Sequence, residues 1–206
     1  MVRILTLGLS YKTAPVEVRE RLSFSSSDIK DSLKELYSRE SVKECCIIST
    51  CNRVEIYCVS ENVEDSENEI ISFLSGHSKQ FENEFNSYIY KYYDDESVKH
   101  LFRVASSMDS MVVGEPQILG QVKDFYNIAF AQKTLGPLLN RLFHTAFFTA
   151  KKVRTETGIS SQAVSISYLA VELAKRIFED LTKRKVMLIG TGEMSQLAAR
   201  HLLSNG

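Results

Sequence analysis

Apolar and polar positions along the chain fall into two regimes. Up to about residue 90, short β-forming runs alternate with amphipathic stretches. RILTLGLS (3–10) reads as a strand, and Pro15 opens a short helical segment, PVEVRERL. Over 28–39 the apolar residues Ile29, Leu33, Leu36 and Tyr37 are spaced to share one helix face. VKECCIIST (42–50) reads as a mostly buried strand, and RVEIYCVS (53–60), which alternates imperfectly, as its hairpin partner. SENEIISFLSG (66–76) reads as an acid-headed helix and SYIYKYYD (87–94) as a Tyr-rich strand. The order β-α-β-β-α-β predicts an α+β fold, a ferredoxin-like split βαβ sheet with helices on one face. Beyond it the pattern is helical over 95–106, 117–133, 138–157 and 162–182. The last of these has apolar positions on more than one face, as a spine between domains would. KVMLIGTGEMSQLAARHLL (185–203) then predicts a strand, a Gly-rich turn and a helix, the first βα unit of a Rossmann-type domain.

Composition narrows the class. With 44% hydrophobic and 25% charged residues among 206, the chain is globular, not a disordered tail or a collagen-like rod. No apolar run approaches the ~18 residues of a membrane span. The opening MVRILTLGLSYK lacks a small-residue cleavage site, so no secretory signal is expected and a cytoplasmic location is. Cys45, Cys46, Cys51 and Cys58 fall within 14 residues, and without a secretory context they are expected as free thiols. The formal net charge of -1 conceals a net of -7 over residues 1–132 and +6 over 133–206. The basic part suits an anionic partner such as RNA, and a solvated helix face gives the same pattern.

Candidate chemistry is concentrated in a few places. Cys51 stands at the corner between two strands, where a thiol can project from the sheet end. Arg53 beside it would favour the thiolate and offer a fork to a carboxylate. A small buried hydrophobe is the plain reading of a cysteine, and it is the one taken for Cys45, Cys46 and Cys58. Their spacing is not that of a zinc ribbon and the histidines are remote, so no metal is expected. His100, on the 95–106 helix, is a packing or surface residue unless it approaches a thiol, where it would act on a leaving group. Ser110 and Glu115-Pro116-Gln117 lead into a helix with Pro116 in its first turn. Gln117 and Gln121 are four apart and share a face, either a pocket wall or an exposed one. Gly190-Thr191-Gly192-Glu193-Met194-Ser195 is a G-x-G-x-x-S variant of the dinucleotide turn. Its glycines allow close approach of a pyrophosphate, and the helix N-terminus favours the charge.

Four blocks, GLSYKTAPVEVRE (8–20), STCNRVEIY (49–57), HLFRVASSMDSMVVGEPQILGQVK (100–123) and IGTGEMSQLAARHL (189–202), together resemble the glutamyl-tRNA reductase family. Residues 61–98 carry little of the resemblance. It implies NADPH-dependent reduction of glutamyl-tRNA(Glu) to glutamate 1-semialdehyde through a cysteine thioester, the first step of five-carbon tetrapyrrole (porphyrin) biosynthesis. By this resemblance Cys51 is the nucleophile. Thr50, Asn52, Arg53, Ser110, Glu115, Pro116, Gln117 and Gln121 stand at substrate-contact positions, with Arg53 taking the glutamyl carboxylate. His100 stands at a position important for activity, and Gly190, Thr191, Gly192, Glu193, Met194 and Ser195 form the NADPH pyrophosphate loop.

The family's partners would be glutamyl-tRNA(Glu), glutamate-1-semialdehyde aminomutase and a second copy, although its helical dimerisation domain has no counterpart in these 206 residues. The implied division is a catalytic domain over 1–157, a spinal linker over 158–182 and an incomplete NADPH-binding domain over 183–206. Such a chain is expected to form the thioester, or hydrolyse it as a slow esterase, and to reduce it poorly. The rival readings are a non-catalytic tRNA- or partner-binding polypeptide and a generic nucleotide-binding module.

Overall fold

A computed structural model of the chain describes residues 2–25, 27–78, 85–160 and 166–204. Strands β1 (Arg3–Ser10), β2 (Glu44–Thr50), β3 (Arg53–Ser60) and β4 (Tyr90–Tyr93) form one sheet in the order β2-β3-β1-β4, every neighbouring pair antiparallel. Helices α1 (Val16–Leu22) and α2 (Ile29–Tyr37) connect β1 to β2, and α3 (Val63–Ser78) connects β3 to β4. This is the α+β split βαβ arrangement, with β3 inserted between two strands that run the same way. Helices α4 (Asp95–Ala105), α5 (Gln117–Ala131), α6 (Pro137–Glu156), α7 (Ile166–Phe178) and α8 (Glu193–Leu203) follow.

The sheet is covered on both faces, not on one as the alternation suggested. Paired residues share a face, so the register puts Leu5, Leu7 and Leu9 with Val54, Ile56 and Cys58 and with Cys45 and Ile47. This apolar face packs on α1–α3, where the Cys45 thiol reaches the Leu33 carbonyl and Leu33 and Leu36 are fully buried. The opposite face carries Thr6, Gly8, Cys46, Arg53, Glu55 and Tyr57 and is equally buried. It is roofed by α4–α6: Tyr57 meets Phe143 edge-on at 5.6 Å and Thr6 hydrogen-bonds Ser97. Polar residues on that face mimic a solvated surface in the sequence, but here they are satisfied by one another and by the helices.

Two local differences have simple causes. The Tyr-rich strand is shorter than 87–94, because a 3-10 turn occupies Phe85–Tyr88 and only Tyr90–Tyr93 pair with β1. The run 185–190 forms no strand among the described residues. Its apolar side chains stand in solvent, Met187 81% and Ile189 86% exposed, because no neighbouring strand offers it a ladder. The helix after the turn forms as expected, at α8. The spine expected from 162 is described from Ile166; residues 161–165 lie outside the described residues.

Candidate active site

The β2–β3 turn is Cys51-Asn52, and its geometry is fixed from beneath. Arg19 on α1, nearly buried, donates from Nε to the Ala14 carbonyl at 3.2 Å and from Nη1 to the Cys51 carbonyl and to Asn52 Oδ1 at 3.2 Å. The Tyr11 amide donates to the Asn52 carbonyl at 2.8 Å. A guanidinium that ties down backbone carbonyls leaves the thiol outside the turn, and Cys51 is exposed where the other three cysteines are buried. Burial pushes the Cys45 thiol up to about 12 and holds Cys46 and Cys58 well above the ordinary thiol value. Those three stay protonated and inert at neutral pH.

Cys51 sits at a cavity of about 370 Å³ that also receives Thr50, Asn52, Arg53, Ser110, Glu115, Gln117 and Gln121. Two chain segments far apart in sequence, 50–53 and 110–121, thus converge on one thiol. Ile118, Ile166, Ser167, Ala170, Met194 and Ala198 complete the lining, so α7 and α8 contribute to the wall, where the Ser167 hydroxyl donates to the Met194 carbonyl at 3.0 Å. Pro116 is exposed and does not line the cavity; its carbonyl and that of Glu115 accept from Arg154 on α6 at 3.4 and 3.2 Å. The 107–116 loop is held at three further points. Gly114, with φ of 85°, lies against the Ile159 carbonyl, the Tyr11 hydroxyl donates to the Ser110 carbonyl at 3.1 Å, and Lys12 pairs with Asp109.

Behind the cavity lies a buried ionic network built on one strand face. Arg53, Glu55 and Tyr57 are two apart on β3 and so point the same way. Arg53, 1% exposed, binds Glu55 at 2.5 Å and reaches both the carbonyl and, at 3.4 Å, the carboxylate of Asp109. Glu55 also accepts from the Tyr57 and Tyr90 hydroxyls at 2.8 and 2.5 Å, and His100 Nε2 lies 2.8 Å from it. Burial alone would raise the Glu55 carboxyl, but the adjacent guanidinium and His100 outweigh it and hold the group well below the usual range. Burial and the Glu55 charge together push the Tyr57 and Tyr90 phenols up. Gly8, paired with Glu55, makes the room: a Cβ there would come within 2.6 Å of the Val54 carbonyl oxygen and 2.8 Å of Glu55 Cγ.

Two expectations change accordingly. Arg53 is not a free fork awaiting a carboxylate; its guanidinium already bridges Glu55 and Asp109, so it reaches the cavity as a committed wall residue. His100 does not share the thiol's cavity. It lines a neighbouring one with Lys12, Lys99 and Arg103, and its ring nitrogen is engaged by Glu55. Sequence reasoning missed Arg19, Glu55, Asp109 and Arg154. The R-x-E-x-Y spacing on a strand was the available signal for Glu55; nothing local marks Arg19 or Arg154, which act across the fold.

At the Gly-rich turn Gly190 takes φ of 111° and Gly192 sits at the N-cap of α8, an 11-residue helix. Thr191 is exposed with its carbonyl bound by Gln196, Met194 reaches the thiol's cavity and Ser195 is half-buried.

Residues 7–157 match the family described as glutamyl-tRNAGlu reductase, N-terminal domain. The chain belongs to that family. Residues 172–206 match a second family, shikimate / quinate 5-dehydrogenase, which fits the start of a Rossmann-like unit. A glutamyl-tRNA reductase of Thermodesulfovibrio yellowstonii is 50% identical over 98% of this chain and 49% of its own length. One from Pelobacter propionicus is 51% identical over 100% and 47%. The solved glutamyl-tRNA reductase from Methanopyrus kandleri superposes with a TM-score of 0.67 at 34% identity, covering 98% of this chain and 47% of that one. The chain spans about half the length of the curated relatives it matches. Among the described residues no helix is long and apolar enough to cross a membrane.

Proposed function

We propose that the Cys51 corner is the acylation site of a glutamyl-tRNA reductase acting on glutamyl-tRNA(Glu) in tetrapyrrole biosynthesis. The observation that carries the reading is one exposed thiol, out of four, at a cavity lined by hydroxyl, amide and carboxylate groups from segments 50–53 and 110–121. In this reading the Cys51 thiolate attacks the ester carbonyl carbon. The bond to the tRNA 3′ oxygen breaks, the departing oxygen takes a proton from solvent, and a glutamyl thioester remains on Sγ. Asn52, Ser110, Gln117 and Gln121 supply the donors that orient the glutamyl group, with Thr50 and Glu115 on the same wall. Arg53 contributes positive potential and rigidity, because its fork is already bonded. His100 acts through Glu55 to hold Arg53, a positioning role that replaces direct action on the leaving group.

The Gly190–Ser195 turn fits a dinucleotide pyrophosphate: a glycine at positive φ precedes a helix whose first amides are unpaired within it. NADPH bound there would supply the hydride that reduces the thioester to the aldehyde. The chain's own part is to present Gly190 and Gly192 without side chains and to bring Met194 up to the thiol's cavity. The proposed division is catalytic through 157, linker over 158–182 and nucleotide-binding from 183.

The test is single-turnover discharge of glutamyl-tRNA. The wild-type chain should release free tRNA without NADPH, and Cys51→Ser should reduce that rate at least 100-fold. Equal discharge by the two would remove Cys51 from the chemistry.

A further inference from the structure

The cavity that holds His100 has no part in the acylation chemistry, yet it is shaped and charged for a ligand. It encloses about 390 Å³ beside α4. Asp109 lines it, and the next residue, Ser110, lines the Cys51 cavity together with Arg53, which donates to the Asp109 carbonyl. We propose that this second cavity seats a phosphodiester strand of RNA, the single-stranded 3′ end of the tRNA whose ester is presented to Cys51. The inference rests on the acylation reading and adds to it the place where the nucleic acid is held.

Three features carry it. First, α4 lines the cavity with Glu96, Lys99, His100 and Arg103, the i, i+3, i+4, i+7 positions of one helix face. Lys99 and Arg103 therefore stand about 6 Å apart along the axis, a short ladder of cations. Second, these cations are available. Arg103 is exposed and makes no ion pair among the described residues. The Lys99–Glu96 pair is itself largely in solvent, so a phosphate can exchange for the carboxylate at little cost. Lys12, across the cavity, is held by Asp109, which Arg53 also engages. Third, Tyr92 lines the same space, its ring 4.7 Å from that of His100, and gives aromatic surface on which a base can stack.

Other cavities lack this combination. One beside α3 is ringed by Glu40, Glu61, Asp65 and Glu69 and would repel a phosphate. Another, beside α7 and α8, is lined mainly by apolar residues; its Arg184 and Lys185 lie outside any helix, and Arg184 already covers the Phe178 ring.

The experiment is equilibrium binding of a fluorescent RNA minihelix ending in an unpaired, non-aminoacylated 3′ strand, titrated with the full chain at several salt concentrations. Arg103→Ala should weaken binding about fivefold or more and lower the slope of log Kd against log salt by about 0.7–0.9, one phosphate contact. Tyr92→Leu should weaken binding with the salt slope unchanged, since stacking releases no counterion. Lys34→Ala, on the distant α2, should match the wild type in both. Wild-type affinity and slope in Arg103→Ala and Tyr92→Leu, or no binding by the wild type, would overturn the proposal. The acylation reading is checked separately by treating the wild-type chain with a small glutamyl thioester that carries no RNA. Transfer to Cys51 with unaltered RNA binding in the variants would sink the RNA site alone. No transfer would instead sink the acylation reading.

Discussion

Cys51 differs from its three neighbours by position, not by type. Cys45, Cys46 and Cys58 occupy strand interiors and are buried and protonated, whereas the Cys51 backbone is anchored by Arg19 and its side chain is left outside. Iodoacetamide near pH 7.5 should therefore alkylate Cys51 alone, giving one adduct in wild type and none in Cys51→Ser by peptide mass mapping. Glu55 is the other decisive residue. Removing its charge leaves Arg53 buried with one fewer partner, so Glu55→Gln should lose roughly 3–5 kcal/mol of stability at pH 7. The pH dependence follows from the direction of the shift. The folded Glu55 carboxyl lies below its unfolded value of 4.5, so its stabilisation is complete above about pH 4.5 and is lost as pH falls toward the folded value. The wild type should lose stability on acidification below pH 4.5 more steeply than Glu55→Gln, as urea midpoints would show. Parallel curves would mean that Glu55 is not held ionised.

Elements place these residues, and each did so with a different visibility in the sequence. The β-α-β-β-α-β order was legible from residues such as Leu5, Leu7, Leu9 and Val54, Ile56, Cys58, because apolar alternation on one sheet face is a local pattern. The second buried face was not, since Arg53, Glu55 and Tyr57 look like a solvated row until Tyr90, His100 and Asp109 arrive from other elements. For the same reason the convergence of Ser110 and Gln121 on Cys51 could be proposed only through resemblance, and the pairing of Arg53 with Glu55 and Asp109 could not be read from the sequence. The 107–116 loop shows how placement is maintained. Gly114 adopts a positive φ, and a Cβ there would overlap the Ile159 carbonyl. Gly114→Ala should cost about 1–3 kcal/mol from backbone strain alone and more from the overlap. It should raise KM for the glutamyl ester more than it changes the reactivity of Cys51 toward iodoacetamide. Proportional loss of both would mean that the loop and the turn fail together.

At the scale of the whole molecule, the sheet with α1–α6 is a packed unit, and residues 185–190 stand apart from it. The backbone of that run has no ladder among the described residues and its apolar side chains face solvent. Amide exchange should be fast over 186–189 and slow by several orders of magnitude in β1 and β3, whose opening approaches global unfolding. Comparable protection in the two regions would show that 185–190 pairs as a strand. Acylation of Cys51 is tested most directly by peptide mass spectrometry of the chain mixed briefly with glutamyl-tRNA, without NADPH, and quenched in acid. A mass increase of one glutamyl group is expected on the Cys51 peptide, absent in Cys51→Ser and accompanied by free tRNA. Free tRNA released at the same rate by Cys51→Ser, or an adduct on any other residue, would contradict it.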